Sequence, residues 1–377
     1  MEYREMKNIG VSPSMLGFGC MRFPLKADGT IEETEAEQMI DKAIAEGVTY
    51  FDTAYPYHNG ESETFVGRVL KKYPRSSFYL ATKMPIWKVH SKEEAKEVLE
   101  EQMAKLQVDY VDFYLLHALN QERWKKVEET GILSLCEEWK AQGKIRYLGF
   151  SFHDEYAVFE KIVSSRKWDF CQIQYNYMDR EEQAGDKGYA LAEKLGIPMV
   201  VMEPVKGGLL GDLPEDLAAV LRKEDPKASM ASWALRWVGS HSNVKVILSG
   251  MSAYQQLLDN LETFSKFQPL SKEEEKAVEQ VADGIKKRVK NGCTGCEYCM
   301  PCPFGVDIPR NFSIWNEYAM YGNKERAKQR YRMTEEKAKA NQCQKCGKCE
   351  TVCPQALSIR KDLEQAAKEL GDLEQDE

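Results

Sequence analysis

Residues 343–354 read CQKCGKCETVCP, and residues 293–303 read CTGCEYCMPCP. Eight of the chain's 11 cysteines fall between positions 293 and 353. The other three, Cys20, Cys136 and Cys171, stand singly among apolar neighbours, where a small buried hydrophobe suffices. Thiolates are soft metal ligands, and the spacing C-x2-C-x2-C-x3-C-P is one that iron–sulfur centres use, three thiolates taking three corners of a cubane. Cys343, Cys346, Cys349 and Cys353 have that spacing, and Cys293, Cys296, Cys299 and Cys302 repeat it with one residue fewer before the last cysteine. Zinc is the alternative, since four cysteines hold one ion, but zinc ligands generally come in C-x2-C pairs and not in triplets with a trailing Cys-Pro. Disulfides suit a cytoplasmic chain less still.

A second set of reactive groups precedes these cysteines: Asp52, Tyr57, Lys83 and His117. What would position them is an alternation of short strands and amphipathic helices. Eight β-branched and aromatic runs recur in the first 250 residues: LGFGCM, TYFDTA, FYLATKM, YVDFYLLH, IRYLGFS, FCQIQYNY, MVVMEP and KVILSG. Stretches such as ETEAEQMIDKAIAEG and KEEAKEVLEEQMAKLQ separate them, with apolar residues at helical spacing. That pattern predicts a parallel sheet covered by helices, and eight repeats of similar length predict closure into a (β/α)8 TIM barrel. No GxGxxG follows the first strand, which argues against a doubly wound sheet. The opening EYREMKNIGVSPS reads as a hairpin ahead of strand one.

The expected division is a barrel over 1–270, a charged helical connector over 271–292, and a small, mainly α-helical domain over 293–377. In a (β/α)8 barrel the reactive groups sit at the C-terminal ends of strands and in the loops that follow. Asp52 closes the second strand, Tyr57 lies in the next loop, Lys83 closes the third strand and His117 the fourth. Each alone has an ordinary explanation: a helix cap, a solvated lysine, a satisfied histidine. Four on one rim are a candidate site.

The stretches GVTYFDTAYPYHNGESETFVG, LATKM and KLQVDYVDFYLLH resemble the signatures of the aldo-keto reductases, and the likeness runs through IRYLGFS and MEPVKGGLLG to LSGMSAYQQLLDNLE. This resemblance implies an oxidoreductase that moves a hydride between a nicotinamide cofactor and a small carbonyl or alcohol substrate. Tyr57 would be the general acid, Lys83 would tune it, Asp52 would hold Lys83 charged, and His117 would orient the carbonyl oxygen or share the proton relay. A free phenol, with a pKa of about 10, needs such tuning to exchange protons at neutral pH.

On the NAD(P) side the resemblance implies Ser151 and Gln172 for the carboxamide and Asn260 for the adenine end. Met202 stands where many members stack a tyrosine, Glu203 follows it where a serine is usual, and Phe152 replaces a carboxamide-binding asparagine. Gly207 belongs to the same stretch. Gly250, Ser252 and Gln256 replace the cations that usually grip a 2′-phosphate, which leaves Lys206 as the nearby cation. No strong preference for NADPH over NADH is expected. His58, His153, Trp87 and Tyr55 are candidates to line the substrate pocket.

The cysteine runs and the helical spacer between them resemble the α-helical ferredoxin modules of respiratory iron–sulfur subunits. The resemblance implies two [4Fe-4S] clusters with crossed ligation. Cys302 would complete the set of Cys343, Cys346 and Cys349, and Cys353 that of Cys293, Cys296 and Cys299.

Composition narrows the rest. A net charge of −8 argues against nucleic acid as a partner. No uncharged apolar run approaches the roughly 18 residues of a membrane span. MEYREMKN has no apolar stretch behind its charges, so no secretory signal is expected and a cytoplasmic location is. A hydride carries two electrons and a cluster takes one, and no flavin-binding motif is present to split the pair. A flavoprotein or ferredoxin partner is therefore the expected user of the clusters, with a structural role as the alternative. The alternative for the whole chain is an electron-transfer or redox-sensing protein whose barrel binds nucleotide without efficient turnover.

Overall fold

The computed structural model describes residues 1–375. Its eight parallel strands close into one barrel in sequence order. They are β1 (Leu16–Gly19), β2 (Tyr50–Asp52), β3 (Tyr79–Met84), β4 (Val111–Leu119), β5 (Ile145–Phe152), β6 (Phe170–Gln174), β7 (Met199–Met202) and β8 (Val244–Gly250). Each of the eight runs read from the sequence carries one of them. The ring closes where β1 pairs with β8, Gly17 beside Leu248 and Gly19 beside Gly250. Space is tight there: a Cβ on Gly17 would stand 2.6 Å from the Val246 side chain, so only glycine fits.

The barrel interior is packed with alternate residues of the strands: Tyr50, Ala81, Phe113, Leu115, Phe170, Val200, Val246 and Leu248. Met6 joins this layer from the opening hairpin, whose bridges are Tyr3–Ser14 and Met6–Val11. Side chains of a strand alternate in direction. The next inward position toward the C-terminal end is therefore two residues on: Asp52 after Tyr50, Lys83 after Ala81, His117 after Leu115, Gln172 after Phe170, Met202 after Val200, and Gly250 after Leu248. Strand period alone thus assembles one layer of candidate site residues above an apolar plug.

The chain divides into two compact units, Met1–Gly207 with Ala231–Ser271, and Gly208–Met230 with Lys272 onward. The sequence had kept 208–230 with the barrel. In the structure the helix Glu215–Glu224 buries Leu217, Ala218 and Leu221, and Leu217 packs so close to Gly284 that an added Cβ there would meet it at 2.5 Å. The helix Lys272–Lys286, read as a connector, supplies the facing apolar stripe of Ala277, Val278, Val281, Ala282 and Ile285. The rest of the second unit is helical, as expected: Ile308–Tyr321, Lys324–Arg332 and Ile359–Gln375, packed around Ile308, Phe312, Trp315, Tyr331, Ile359 and Leu363. Among the described residues no helix is long and apolar enough to cross a membrane.

Candidate functional site

Lys83 is fully buried, and each proton of its ammonium has an acceptor. Nζ lies 2.6 Å from Asp52 Oδ1, 2.7 Å from the Thr53 carbonyl oxygen and 3.3 Å from the Tyr57 hydroxyl. Tyr57 comes from a short helical turn, Tyr57–Gly60, in which His58 and Asn59 adopt left-handed backbone angles of φ 51° and 56°. The His117 ring packs edge-on to Tyr57 at 6.2 Å between centroids, and Trp87 packs against His117 at 5.1 Å.

Burial is the largest influence on each of these groups. Burial works against the charge of Lys83, but Asp52 and Tyr57 outweigh it and the lysine sits above its ordinary value. Burial raises Tyr57 above its ordinary 10, with Lys83 pulling the other way. Lys83 pulls the phenol in the direction expected from the sequence, but the low dielectric around it outweighs the lysine. His117 is held well below 6.5 by burial and then by the Lys83 charge, so it is a neutral imidazole at pH 7.

A cavity of about 1490 Å³, including its open mouth, is lined by Asp52, Tyr57, His117, Ser151, Gln172, Met202, Glu203 and Gly250 among others. His58, His153 and Trp87 line it too, whereas Tyr55 does not. Tyr55 lies at the surface, bonded to Glu101 at 3.1 Å and to Lys88, with Lys105 over its ring. Phe152 turns away from the cavity into the core, packing on Phe159 at 5.2 Å.

Ser151 Oγ accepts the Ala118 N–H at 2.7 Å, and Gln172 Nε2 points at the Met202 sulfur at 3.6 Å. Gln172 Oε1 is buried without a hydrogen-bond partner. A buried orphan acceptor is costly unless something fills it, and a carboxamide N–H would. Gln256 Oε1 takes the Ser252 N–H at 2.8 Å, and Asn260 is buried and donates to Ser249 at 2.9 Å. Neither lines the cavity, nor do Lys206 and Gly207. Lys206 is paired with the buried carboxylate of Asp179, so its charge is already matched.

Two charged lining residues were not expected from the sequence. Arg22 lies against Gly250 and pairs with Glu203 at 3.4 Å. Its place just past β1 was a signal for it, because that is the reactive end of the barrel. Arg123 lies in the helix after β4, a place with no local signal.

In the second unit, Cys293, Cys296, Cys299 and Cys353 surround one cavity, and Cys302, Cys343, Cys346 and Cys349 surround another, which Cys299 also reaches. None of the eight is in a disulfide. The loops match residue by residue. Left-handed backbone falls at Gly295, Glu297 and Gly305 in the first run and at Lys345, Gly347 and Ala356 in the second. Each run ends in a helix that starts six residues after its last cysteine, at Ile308 and Ile359. No three Cys, His, Asp or Glu side chains among the described residues converge tightly enough for a single ion. Four thiols lining each cavity are the donor set that an iron–sulfur cluster takes.

The chain is a member of the aldo/keto reductase family, whose model matches residues 15–283, and it carries a 4Fe-4S dicluster domain over 292–358. It is 28% identical to the uncharacterized oxidoreductase YqkF of Bacillus subtilis, covering 74% of this chain and 96% of that one. It is 26% identical to the NADH-specific methylglyoxal reductase of Escherichia coli, covering 57% and 78%. The aldo-keto reductase AKR11C1 from Bacillus halodurans, in its holo form, superposes with a TM-score of 0.64 at 29% identity, covering 74% of this chain and 96% of that one.

Proposed function

We propose that this protein reduces a small carbonyl compound, or oxidises the matching alcohol, with a nicotinamide dinucleotide, and that it holds two [4Fe-4S] clusters for a one-electron partner. The carrying observation is the contact of Lys83 Nζ with both Asp52 and the Tyr57 hydroxyl at the floor of the cavity. When bound, the dinucleotide carries the hydride and each cluster a single electron. The Tyr57 hydroxyl gives its proton to the carbonyl oxygen. Lys83, kept charged by Asp52, stabilises the phenolate left behind. Neutral His117 orients that oxygen as a hydrogen-bond partner. Ser151 and Gln172 would hold the carboxamide and Met202 would cover the ring, with Glu203 and Gly250 on the cavity wall; Lys206, Gly207, Gln256 and Asn260, outside the cavity, would serve the dinucleotide's far end.

The cysteine quartets are crossed, Cys353 serving with Cys293, Cys296 and Cys299, and Cys302 with Cys343, Cys346 and Cys349. A reducing, cytoplasmic compartment keeps such thiols available. The surface chemistry supports a partner. Residues 343–361 hold Lys345, Lys348, Arg360 and Lys361; Arg360 pairs with Glu350 and Lys345 with Glu364, which leaves Lys348 and Lys361 as the cations for a partner. Exposed Tyr298, Phe304 and Val352 border the same cavity. A basic rim with apolar anchors suits an acidic flavoprotein or ferredoxin.

The test is anaerobic. The protein should oxidise NADH or NADPH with a reducible aldehyde, while the same nucleotide alone leaves the clusters unreduced by EPR. Tight nucleotide binding with no turnover on a broad aldehyde panel would favour a sensing role instead, and rapid cluster reduction without added flavin would remove the need for a partner.

A further inference from the structure

Arg123 stands on the wall of the cavity, on the helix Gln121–Thr130. Its Nη1 donates to the Ala118 carbonyl oxygen at 2.7 Å, and its guanidinium carbon lies 5.0 Å from the centre of the Trp87 ring. Trp87 packs on His117, and His117 on Tyr57. The anchor is built by the backbone. Ala118 has a left-handed φ of 53°, and the β4–β5 register shifts between Leu116 and Leu119. Its N–H thereby reaches Ser151 and its carbonyl reaches Arg123.

Charge pairing sets Arg123 apart. Of the other charged side chains lining the cavity, Asp52 is matched by Lys83, and Arg22 and Glu203 by each other. Several arginines outside the cavity find acids, as Arg75 does in Asp112, Arg166 in Glu137 and Arg288 in Asp216, while Arg4 is held by three backbone carbonyls. Among the described residues Arg123 has no acidic partner. Lys126, one turn further along the same helix, donates to the Trp87 carbonyl oxygen at 3.3 Å and adds a second cation to this side. Neighbouring His117 and His153 are both held below the ordinary imidazole value, first by burial, so the positive charge here resides on arginine at neutral pH. A guanidinium fixed at one nitrogen and along one face keeps the rest of its planar fork for a ligand, and that fork matches carboxylate and phosphate oxygens.

We infer that the cavity takes a carbonyl compound bearing an anionic group, carboxylate or phosphate, and that Arg123 holds that group as a specificity-determining residue. The inference rests on the carbonyl chemistry proposed at Tyr57 for turnover, but anion binding can be measured without it. Two substrate pairs separate the sources of charge: 4-oxobutanoate against butanal, and glyceraldehyde 3-phosphate against glyceraldehyde. Succinate and inorganic phosphate serve as unreactive probes by titration calorimetry. The charged member of one pair should have the higher kcat/KM by about tenfold or more, the size of one charged hydrogen-bonded contact. Arg123→Leu should reduce that ratio by a similar factor, mainly through KM, and should weaken binding of the matching unreactive anion. Arg123→Lys, checked for folding alongside by circular dichroism, should keep part of both.

A ratio near one in the wild type, or unchanged in Arg123→Leu, would overturn the inference. So would failure of both anions to bind. If no aldehyde is reduced yet one anion binds the wild type and not Arg123→Leu, the anion site stands and the carbonyl reading falls.

Discussion

The Lys83 ammonium stands 2.6 Å from Asp52 Oδ1 and 3.3 Å from the Tyr57 hydroxyl, so one enclosed cation joins a carboxylate at the end of β2 to a phenol on the loop beyond it. Asp52 Oδ2 has no hydrogen-bond partner, and the pair sits where water cannot screen it. Such a pair contributes little net stability when intact but is costly to break.

Two separable outcomes follow from that geometry. Tyr57→Phe should lower carbonyl reduction by about 10² to 10⁴ while nucleotide binding persists, since only proton transfer is removed, and Lys83→Met should lower it comparably while also destabilising the fold, since it strands the buried Asp52 carboxylate. Asp52→Asn leaves a buried lysine without its counter-charge and should also lower unfolding free energy, by about 3–5 kcal/mol at most. Steady-state kinetics and denaturant titration measure the two effects. Wild-type turnover in Tyr57→Phe would show that the phenol is not the proton donor.

Stability should fall as the solution is acidified below about pH 6.5. His117 is held well below its ordinary 6.5 in the folded chain. Between those two values the unfolded chain binds the proton and the folded chain does not, so the histidine's contribution is complete above the unfolded value and is lost as pH falls. The slope is at most about 1.4 kcal/mol per pH unit for one such group. Urea titrations between pH 7.5 and 5.5 should show a shallower dependence in His117→Gln. An identical slope in that variant would mean other groups carry the effect.

NADPH and NADH should bind within about 100-fold of each other, because a larger gap needs a free cation worth some 3 kcal/mol at the 2′-phosphate. Lys206 is engaged by Asp179, and Arg22 by Glu203. Asp179→Asn releases Lys206 and should move the ratio toward NADPH. Fluorescence titration of both nucleotides against both proteins decides it, and a ratio that does not move places Lys206 out of reach of that phosphate.

The crossed cysteine quartets predict asymmetric losses. Cys353→Ser should disturb the cluster held by Cys293, Cys296 and Cys299, and Cys302→Ser the one held by Cys343, Cys346 and Cys349. Each variant, purified anaerobically and reduced with dithionite, should retain one intact [4Fe-4S] signal by EPR and about half the iron. Loss of the same signal in both variants would refute the crossing.

Much of this was legible along the chain because it is written in period and spacing. Strand alternation puts Asp52, Lys83, His117, Gln172 and Met202 two residues past an apolar inner layer, and a barrel turns that parity into one rim. Cysteine spacing marks the iron–sulfur loops, since ligands three residues apart reach adjacent corners without help from distant chain. Tertiary structure decided what depends on packing between remote segments. It carried Tyr55 to the surface, tied Lys206 to Asp179, and brought Arg22 and Arg123 to the cavity. It also gathered 208–230 into the second unit through the contact of Leu217 with Gly284, and brought Cys353 to the first cysteine loop and Cys302 to the second. The sign of the Tyr57 shift was decided there as well. A neighbouring lysine can be inferred from sequence, but how far water is excluded around a phenol is known only once the walls are closed, and here that exclusion outweighs the charge.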